Sequence, residues 1–230
     1  MWYRKPVKNN SMRPETQTKE MLLKAAKKQF MEKGYMGASL RTICKEAGVT
    51  TGALYFFFKD KEDLFGALVK KPLDIMYEIM KKHYEGEIKD IKNKTMRKHY
   101  ENQIKDIKNT VTQVKDMTDD KNVALMAVNC LYQYHDEFVL LLMKSQGSKY
   151  ENCTDEFVAI SEKHYRILSD AMSEEYGAKR IDDYTIHWIS HLQISSFAQL
   201  ITHDLSQKEA LTQMKTIVKF LINGWFGIYK

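Results

Sequence analysis

With 230 residues, 43% of them hydrophobic, and only three prolines and ten glycines, the chain has the composition of a mostly helical globular protein. Its longest apolar runs are too short to span a bilayer, its start has no signal-peptide core, and its three cysteines form no CxxC pair. We therefore expect an all-α cytoplasmic protein without disulfides or cofactors. The net charge of +6 lies wholly in residues 1–70, where fourteen Lys and Arg face seven Asp and Glu, which favours a polyanion such as DNA as partner.

The first segment, 1–15, is basic, and its charges include Arg4, Lys5 and Lys8. We expect a flexible arm that follows a DNA backbone, enters a minor groove, or has no function. The apolar spacing after it predicts a helix over about 18–33.

Residues 34–65 carry the pattern of two short helices around a tight turn. Apolar residues from Leu40 to Ala47 recur at i, i+3, i+4 and i+7, which is one face of a helix. Gly48 supplies the left-handed residue that ends helices, and Thr50 can cap a second helix. Such a unit places one helix in a DNA groove. A catalytic site would need clustered nucleophiles, bases or metal ligands, which this stretch lacks.

The order and spacing of these residues resemble the TetR family of bacterial transcriptional regulators. The matching residues are Leu22-Leu23-x-Ala25-Ala26-x-x-x-Phe30-x-x-x-Gly34-Tyr35 upstream and Gly52-Ala53-Leu54-Tyr55-x-Phe57-Phe58-x-x-Lys61-Glu62-x-Leu64 downstream. The resemblance implies a DNA-binding domain over 16–71 and a helical bundle over 72–230 that binds a small molecule and dimerises.

The resemblance also implies which side chains meet DNA. The start of the second helix would line the major groove, Tyr55 and Thr42 would contact phosphates, Lys61 would contact the backbone, and Arg41 would contact DNA or pair with an acidic neighbour. The full set is Ser39, Arg41, Thr42, Thr50, Thr51, Gly52, Ala53, Tyr55, Phe56 and Lys61. Thr51 and Phe56 depart from the family pattern, so readout by hydrogen bonds looks sparse, although Thr methyls and Ala can meet thymine methyls. The alternative is an ordinary three-helix core.

Downstream, the helix that begins near Lys61 is expected to kink or restart at Pro72. Residues 80–93 and 96–109 are near-copies at an offset of sixteen, and their histidines are expected to be exposed. We expect a break at 93–96 that puts the copies on separate helices, with one continuous helix as the alternative. Further helices are predicted over 122–145, 154–176, 182–202 and 206–229, the last with a capping box.

Two middle helices of the bundle carry aromatic and polar-tipped side chains of the kind that line small-molecule pockets, with plain core as the alternative. These ligand-binding candidates are Tyr132, His135, Phe138, Met143, His164, Tyr165 and Leu168. The last two helices carry more apolar surface than one chain needs to bury, and the resemblance implies that they pair with a second copy. The interface candidates are Trp188, Phe197, Ile201, Ile217, Leu221 and Phe226.

His187 and His191 have the i, i+4 spacing that can hold a metal, but no third ligand is identifiable, so a surface or interface pair is expected. The leading interpretation is a ligand-responsive repressor, not an enzyme, that binds a palindromic operator as a homodimer. One alternative is a DNA-bound adaptor controlled by a protein partner, which would have a solid bundle where an effector needs a cavity of a few hundred Å³. The other is a metal-dependent enzyme. The effector's identity, and repressor against activator, stay open.

Overall fold

The computed structural model describes residues 14–92, 120–203 and 205–229, and all regular structure within these ranges is helical. The helices are α1 (Pro14–Gly37), α2 (Leu40–Ala47), α3 (Thr51–Phe57), α4 (Lys61–Lys92), α5 (Asp120–Gln133), α6 (His135–Met143), α7 (Cys153–Tyr176), α8 (Asp183–Thr202) and α9 (Gln207–Gly227). The predicted all-α fold is therefore confirmed. No helix in the described ranges combines the length and the hydropathy that crossing a membrane requires.

Helices α1 to α3 and the start of α4 pack around an aromatic core. Phe30 and Phe65 are fully buried and meet edge to face, with ring centroids 5.0 Å apart. Tyr35 packs against Phe65 in the same way at 5.3 Å. Leu54 fixes α3 to this core because its side chain has no exposed surface. The aromatic core therefore holds α3 in a set orientation.

Helix α1 is longer than its apolar spacing predicted. It begins at Pro14, because proline is compatible with the first turn of a helix, where its missing N–H has no partner to lose. Near the end of α1, Gly34 adopts a positive φ of 69°, a backbone conformation that glycine reaches without steric strain, and the chain turns there before α2.

Helix α4 runs without a restart from Lys61 to Lys92 and contains Pro72. The predicted restart is wrong, because Pro72, Leu73 and Met76 are buried on the side that faces the core, and this packing offsets the lost backbone bond. The domain boundary expected between residues 71 and 72 therefore falls inside one helix. The first copy of the repeat lies on α4 as far as Lys92, whereas the expected break at 93–96 and the second copy lie outside the described residues.

The single helix expected over 122–145 is two helices. Tyr134 leaves helical geometry at φ −120° and ψ 39°, and its carbonyl accepts the first bond of α6 from the Phe138 amide at 3.0 Å. Asp136 and Glu137 stand in the first turn of α6, where negative charge suits the helix dipole. The acidic pair marks the start of a new helix, which the apolar spacing alone does not indicate.

The last three helices agree with the sequence to within a residue or two. Gly177 ends α7 in the left-handed conformation at φ 61°. The capping box of Ser206 and Glu209 opens α9, with both reciprocal bonds formed. With α4 to α6 these helices complete a bundle around two further apolar clusters.

Candidate nucleic-acid interface and ligand cavity

The turn between α2 and α3 has the geometry that its sequence predicts. Gly48 adopts φ 67°, and the Val49 amide donates to the carbonyl of Cys44 at 3.0 Å. Thr50 caps α3, since its Oγ1 accepts the amide of Ala53 at 3.1 Å. Ser39 stands at the N-cap of α2 with extended backbone, but its hydroxyl makes no capping hydrogen bond.

The predicted DNA-facing residues, apart from Lys61 on α4, lie on α2 and α3 and at the cap residues just before them, and we call this set the DNA-facing surface. Seven of them are exposed in addition to Phe56, which is 71% exposed, and Ala53 is half-buried. The seven are Ser39, Arg41, Thr42, Thr50, Thr51, Gly52 and Tyr55. The small side chains of Thr51, Gly52 and Ala53 at the start of α3 allow a phosphate or a base edge to approach the backbone closely.

Lys61 is less free than a backbone-contacting lysine was expected to be. Its Nζ donates to the carbonyl of Met36 at 3.2 Å and lies 4.6 Å from the ring centre of Tyr35. Partial burial lowers the pKa of this ammonium. A phosphate contact from Lys61 would therefore be made by a side chain that is already held in place.

A loop between α6 and α7 docks onto the DNA-binding domain, a contact that the sequence did not indicate. The amide of Tyr35 donates to the carbonyl of Lys144 at 2.7 Å. The hydroxyl of Tyr35 donates to Glu62 at 2.9 Å, and the amide of Lys149 donates to the same carboxylate at 3.3 Å. Burial and the bond to Glu62 raise the pKa of Tyr35 to about 12. This docked loop, residues 144–149, ties the bundle to the first turn of α4.

A cavity of about 170 Å³ lies inside the bundle, bordered by α4 to α9. Four of the predicted ligand-binding residues line it, and they are Phe138, His164, Tyr165 and Leu168. The cavity is smaller than the few hundred Å³ that we expected for an effector site. It is close to the roughly 150 Å³ of an engineered cavity that binds benzene in another protein.

Three predicted ligand-binding residues lie outside the cavity lining. The hydroxyl of Tyr132 donates to the carbonyls of Leu200 and Leu205, so this side chain ties α5 to the end of α8. His135 points toward Asp136, and Met143 is largely exposed.

The polar part of the cavity joins His164, which the sequence predicted, to two residues that it did not predict as ligand-binding, His83 and Glu87. The Nε2 of His164 lies 2.5 Å from Oε2 of Glu87, and the Nε2 of His83 lies 3.6 Å from the same oxygen. His83 was expected to be exposed, yet it is buried because α4 turns it toward α7. The available signal was the i, i+4 pair His83 and Glu87 in the first repeat copy, since the second copy has Gln103 in place of Glu87.

The predicted interface residues divide into different environments. Trp188 is 54% exposed, as an interface requires, and Tyr184 and Phe220 are also exposed. Phe197, Leu221 and Phe226 line the cavity, and Ile217 is half-buried. Ile201 is only 1% exposed within its own chain and has no surface left for a partner, so we remove it from the candidate interface.

His187 and His191 lie side by side on α8, with ring centres 4.5 Å apart. The Nδ1 of His187 lies 3.2 Å from Glu162. Within the described ranges no three His, Cys, Asp or Glu residues are grouped to hold a metal. Burial raises the pKa of both Cys130 and Cys153 to about 11, so these thiols stay protonated at neutral pH.

The part of the chain that contains α2 and α3 is similar to known DNA-binding regulators. The model of the family described as bacterial regulatory proteins, tetR family, matches residues 22–68. The transcriptional repressor BepR of Brucella suis biovar 1 is 41% identical over 64 residues, which are 28% of this chain and 31% of that protein. The regulator AcrR of Shigella flexneri is 44% identical over 52 residues, 23% of this chain and 24% of that protein. The matched part thus spans less than a third of either relative.

Solved structures extend the likeness to the bundle. A transcriptional regulator of Aquifex aeolicus VF5 superposes with a TM-score of 0.51 at 20% identity, covering 89% of this chain and 99% of that one. The repressor NalD of Pseudomonas aeruginosa gives a TM-score of 0.51 at 16% identity, covering 91% and 96%. At these identities the likeness shows a shared fold.

Proposed function

Because this chain belongs to the TetR family of bacterial regulatory proteins, we propose that it is a homodimeric transcriptional repressor in the cytoplasm, released from a palindromic operator by a small molecule. In this proposal residues 16–71 read DNA, and residues 72–230 bind the effector and the second copy.

The observation that carries the proposal is the path of α4. Its first turn holds Lys61 and Glu62, beside the DNA-facing surface, and its later turns place Met76, Ile79 and Glu87 along the cavity. A ligand that fits one position of α4 better than another would shift the DNA-binding domain with it, by no more than its difference in affinity for the two states.

The exposed residues of α3 favour recognition of DNA bases through methyl groups and the protein backbone rather than through long polar side chains. Thr51, Gly52 and Ala53 offer no long hydrogen-bonding side chain, and Phe56 presents an apolar ring. Thymine is the base that presents a methyl group in the major groove. We therefore propose an operator whose contacted positions are rich in A·T pairs.

The cavity favours a small-molecule effector over a protein partner. An adaptor would need no internal space, whereas this bundle leaves about 170 Å³ beside α4. The metal-dependent enzyme has less support, since His187 and His191 have no third ligand among the described residues.

Lysine substitution tests the DNA surface. Lys61→Ala should weaken binding to all duplexes alike and make the salt slope shallower by about one unit, as loss of one phosphate contact does. Thr51→Ala should instead change the preference at particular base pairs. Lys82→Ala, an exposed lysine farther along α4, is the control. An unchanged slope for Lys61→Ala, measured by fluorescence anisotropy, would remove Lys61 from the DNA contacts.

A charge placed on α8 or α9 tests the dimer. Trp188→Glu and Phe220→Glu put a carboxylate on exposed apolar positions that line no cavity, so the fold of one chain should survive. Burying that charge in an apolar interface is unfavourable by several kcal/mol. Light scattering should give monomers, which bind a full palindrome poorly. Two intact dimers would place the interface elsewhere.

A further inference from the structure

The charge of the cavity narrows what it can bind. Of the described residues that line it, only Glu87 carries a formal charge apart from the imidazoles of His83 and His164, and there is no Lys or Arg among them. Glu87 is 6% exposed, so its carboxylate is held away from water. A phosphorylated or otherwise polyanionic ligand would meet no Lys or Arg among the described residues that line the cavity.

The walls beside this carboxylate are aromatic. Tyr84 stacks on His164 with ring centroids 3.9 Å apart and an angle of 7°, and Tyr165 lies 5.0 Å from Trp225. The faces of Tyr and Trp rings attract cations, and the attraction strengthens when water is excluded. A buried carboxylate among such rings is an environment for positive charge.

We propose that the cavity binds a compact monovalent organic cation in exchange for one proton held by the cluster of Glu87, His83 and His164. The inference rests on the proposed function, in which this cavity is the effector site, and it names the chemical class of the effector.

The exchange follows from the close approach of Glu87 and His164. A buried carboxylate is strongly unfavourable unless a positive group pairs with it, and His164, whose Nε2 lies 2.5 Å from Oε2 of Glu87, supplies that group when it is protonated. Histidine, unlike lysine or arginine, gives up its proton near neutral pH. When a cation reaches Glu87, the imidazolium releases H⁺ to solvent and becomes neutral, so the net charge of the cluster is unchanged.

Among the described residues that line the cavity, the other polar groups around the cluster do not ionise near neutral pH. Tyr84 on α4 and Tyr165 on α7 are phenols, and Gln193 on α8 is an amide that accepts from Ser161 at 2.6 Å. The described cavity residues of α5, α6 and α9 are all apolar. The pH dependence of binding is therefore assigned to the cluster.

The size of the cavity sets the size of the cation. About 170 Å³ holds a single ring with a small head group, by comparison with the roughly 150 Å³ that holds benzene. Phenyltrimethylammonium fits this description, carries no titratable proton, and has an uncharged isostere, tert-butylbenzene, in which carbon replaces nitrogen.

Calorimetry of the full-length dimer tests the proposal with these two probes. We expect the cation to bind at least tenfold tighter than its isostere, with an affinity that rises between about pH 6 and 8. Titration in two buffers of different ionisation enthalpy should give about one proton released per cation. Equal affinities for the two probes, or no binding of the cation, would overturn the proposal. So would tighter binding of the anion hydrocinnamate with proton uptake.

Two matched variants locate the effect. Glu87→Gln should lower the affinity of the cation to that of tert-butylbenzene and abolish the pH dependence, while tert-butylbenzene still binds. Glu85→Gln, exposed on the same helix, should behave as the wild type. If Glu87→Gln does not fold, the proton count of the wild type decides. A folded Glu87→Gln variant with an unchanged cation preference would contradict the assignment.

DNA binding in the same samples separates this inference from the proposed function. If tert-butylbenzene displaces a duplex selected by the protein and the cation does not, the proposed repressor function is supported and the proposed ligand class is wrong. If the cation binds with proton release and never alters affinity for the duplex, the ligand class stands and its role as effector is wrong.

Discussion

The two ends of α4 are packed in opposite ways. Leu64, Phe65 and Val69 near its start are fully buried in an aromatic core, whereas Met80, His83 and Glu87 near its end border a cavity. A solid core holds a surface in one shape, and a hollow bundle leaves space that a ligand can fill. In the proposed function, α4 joins the two regions and transmits ligand binding in the cavity to the DNA-facing surface.

The largest expected effect comes from the same Leu→Ala substitution made in the solid core and beside the cavity. Leu64→Ala removes a fully buried side chain from the solid core and should lower the free energy of unfolding by about 3–5 kcal/mol. Leu168→Ala, 3% exposed but beside the cavity, should lower it by about 2 kcal/mol, because a side chain that faces a void has fewer contacts to lose. Denaturant unfolding measures both, and equal losses would argue against the difference in packing.

The next effect tests a hydrogen bond inside the DNA-binding domain, at the place where the docked loop contacts it. Tyr35→Phe removes the hydroxyl that donates to Glu62 and should lower the free energy of unfolding by about 1–2 kcal/mol. The pKa of Tyr35 is raised in the fold to about 12, so its stabilisation is complete below about pH 10 and is lost as pH rises toward 12. The variant should therefore lose less stability than the wild type over that range. Tyr55→Phe, at an exposed phenol, is the control and should leave stability unchanged.

The smallest expected effect comes from a comparison of two N-cap residues within the DNA-binding domain. Thr50→Ala removes the side chain that accepts the Ala53 amide and should lower stability by about 1 kcal/mol. Ser39→Ala removes a hydroxyl with no capping bond and should change stability by no more than a few tenths. Thermal unfolding separates the two, and a loss for Ser39→Ala as large as that for Thr50→Ala would mean that the Ser39 hydroxyl stabilises the fold after all.

The helix-turn-helix of the DNA-binding domain could be predicted from sequence because the residues that specify it are close together in the chain. Gly48 requires a left-handed backbone, Thr50 follows as a cap, and Leu54 repeats the helical phase, all within seven residues. Each of these features depends on neighbours in sequence rather than on partners from elsewhere in the fold.

The cavity could be predicted only in part because its walls come from six helices. Phe138 and Leu168 were predicted from the aromatic and polar-tipped composition of the middle helices, whereas Glu87 and His83 were missed, since a charged helix in a repeat looks like a solvated one. Met143 was predicted wrongly because it follows Phe138 by five residues, which places it about 140° around α6, and its side chain is largely exposed. Which side chains reach a cavity built by six helices depends on tertiary packing that no local pattern records.

Coupling between the cavity and the DNA surface is the central claim, and a substitution that fills the cavity tests it without any ligand. Ala127→Phe adds a ring on the cavity wall from α5, and Ala159→Phe adds the same ring at an exposed position on α7. In fluorescence anisotropy against a duplex selected by the wild type, we expect Ala127→Phe to bind at least tenfold more weakly while Ala159→Phe binds as the wild type does. A folded, dimeric Ala127→Phe variant with unchanged affinity for the duplex would contradict the account.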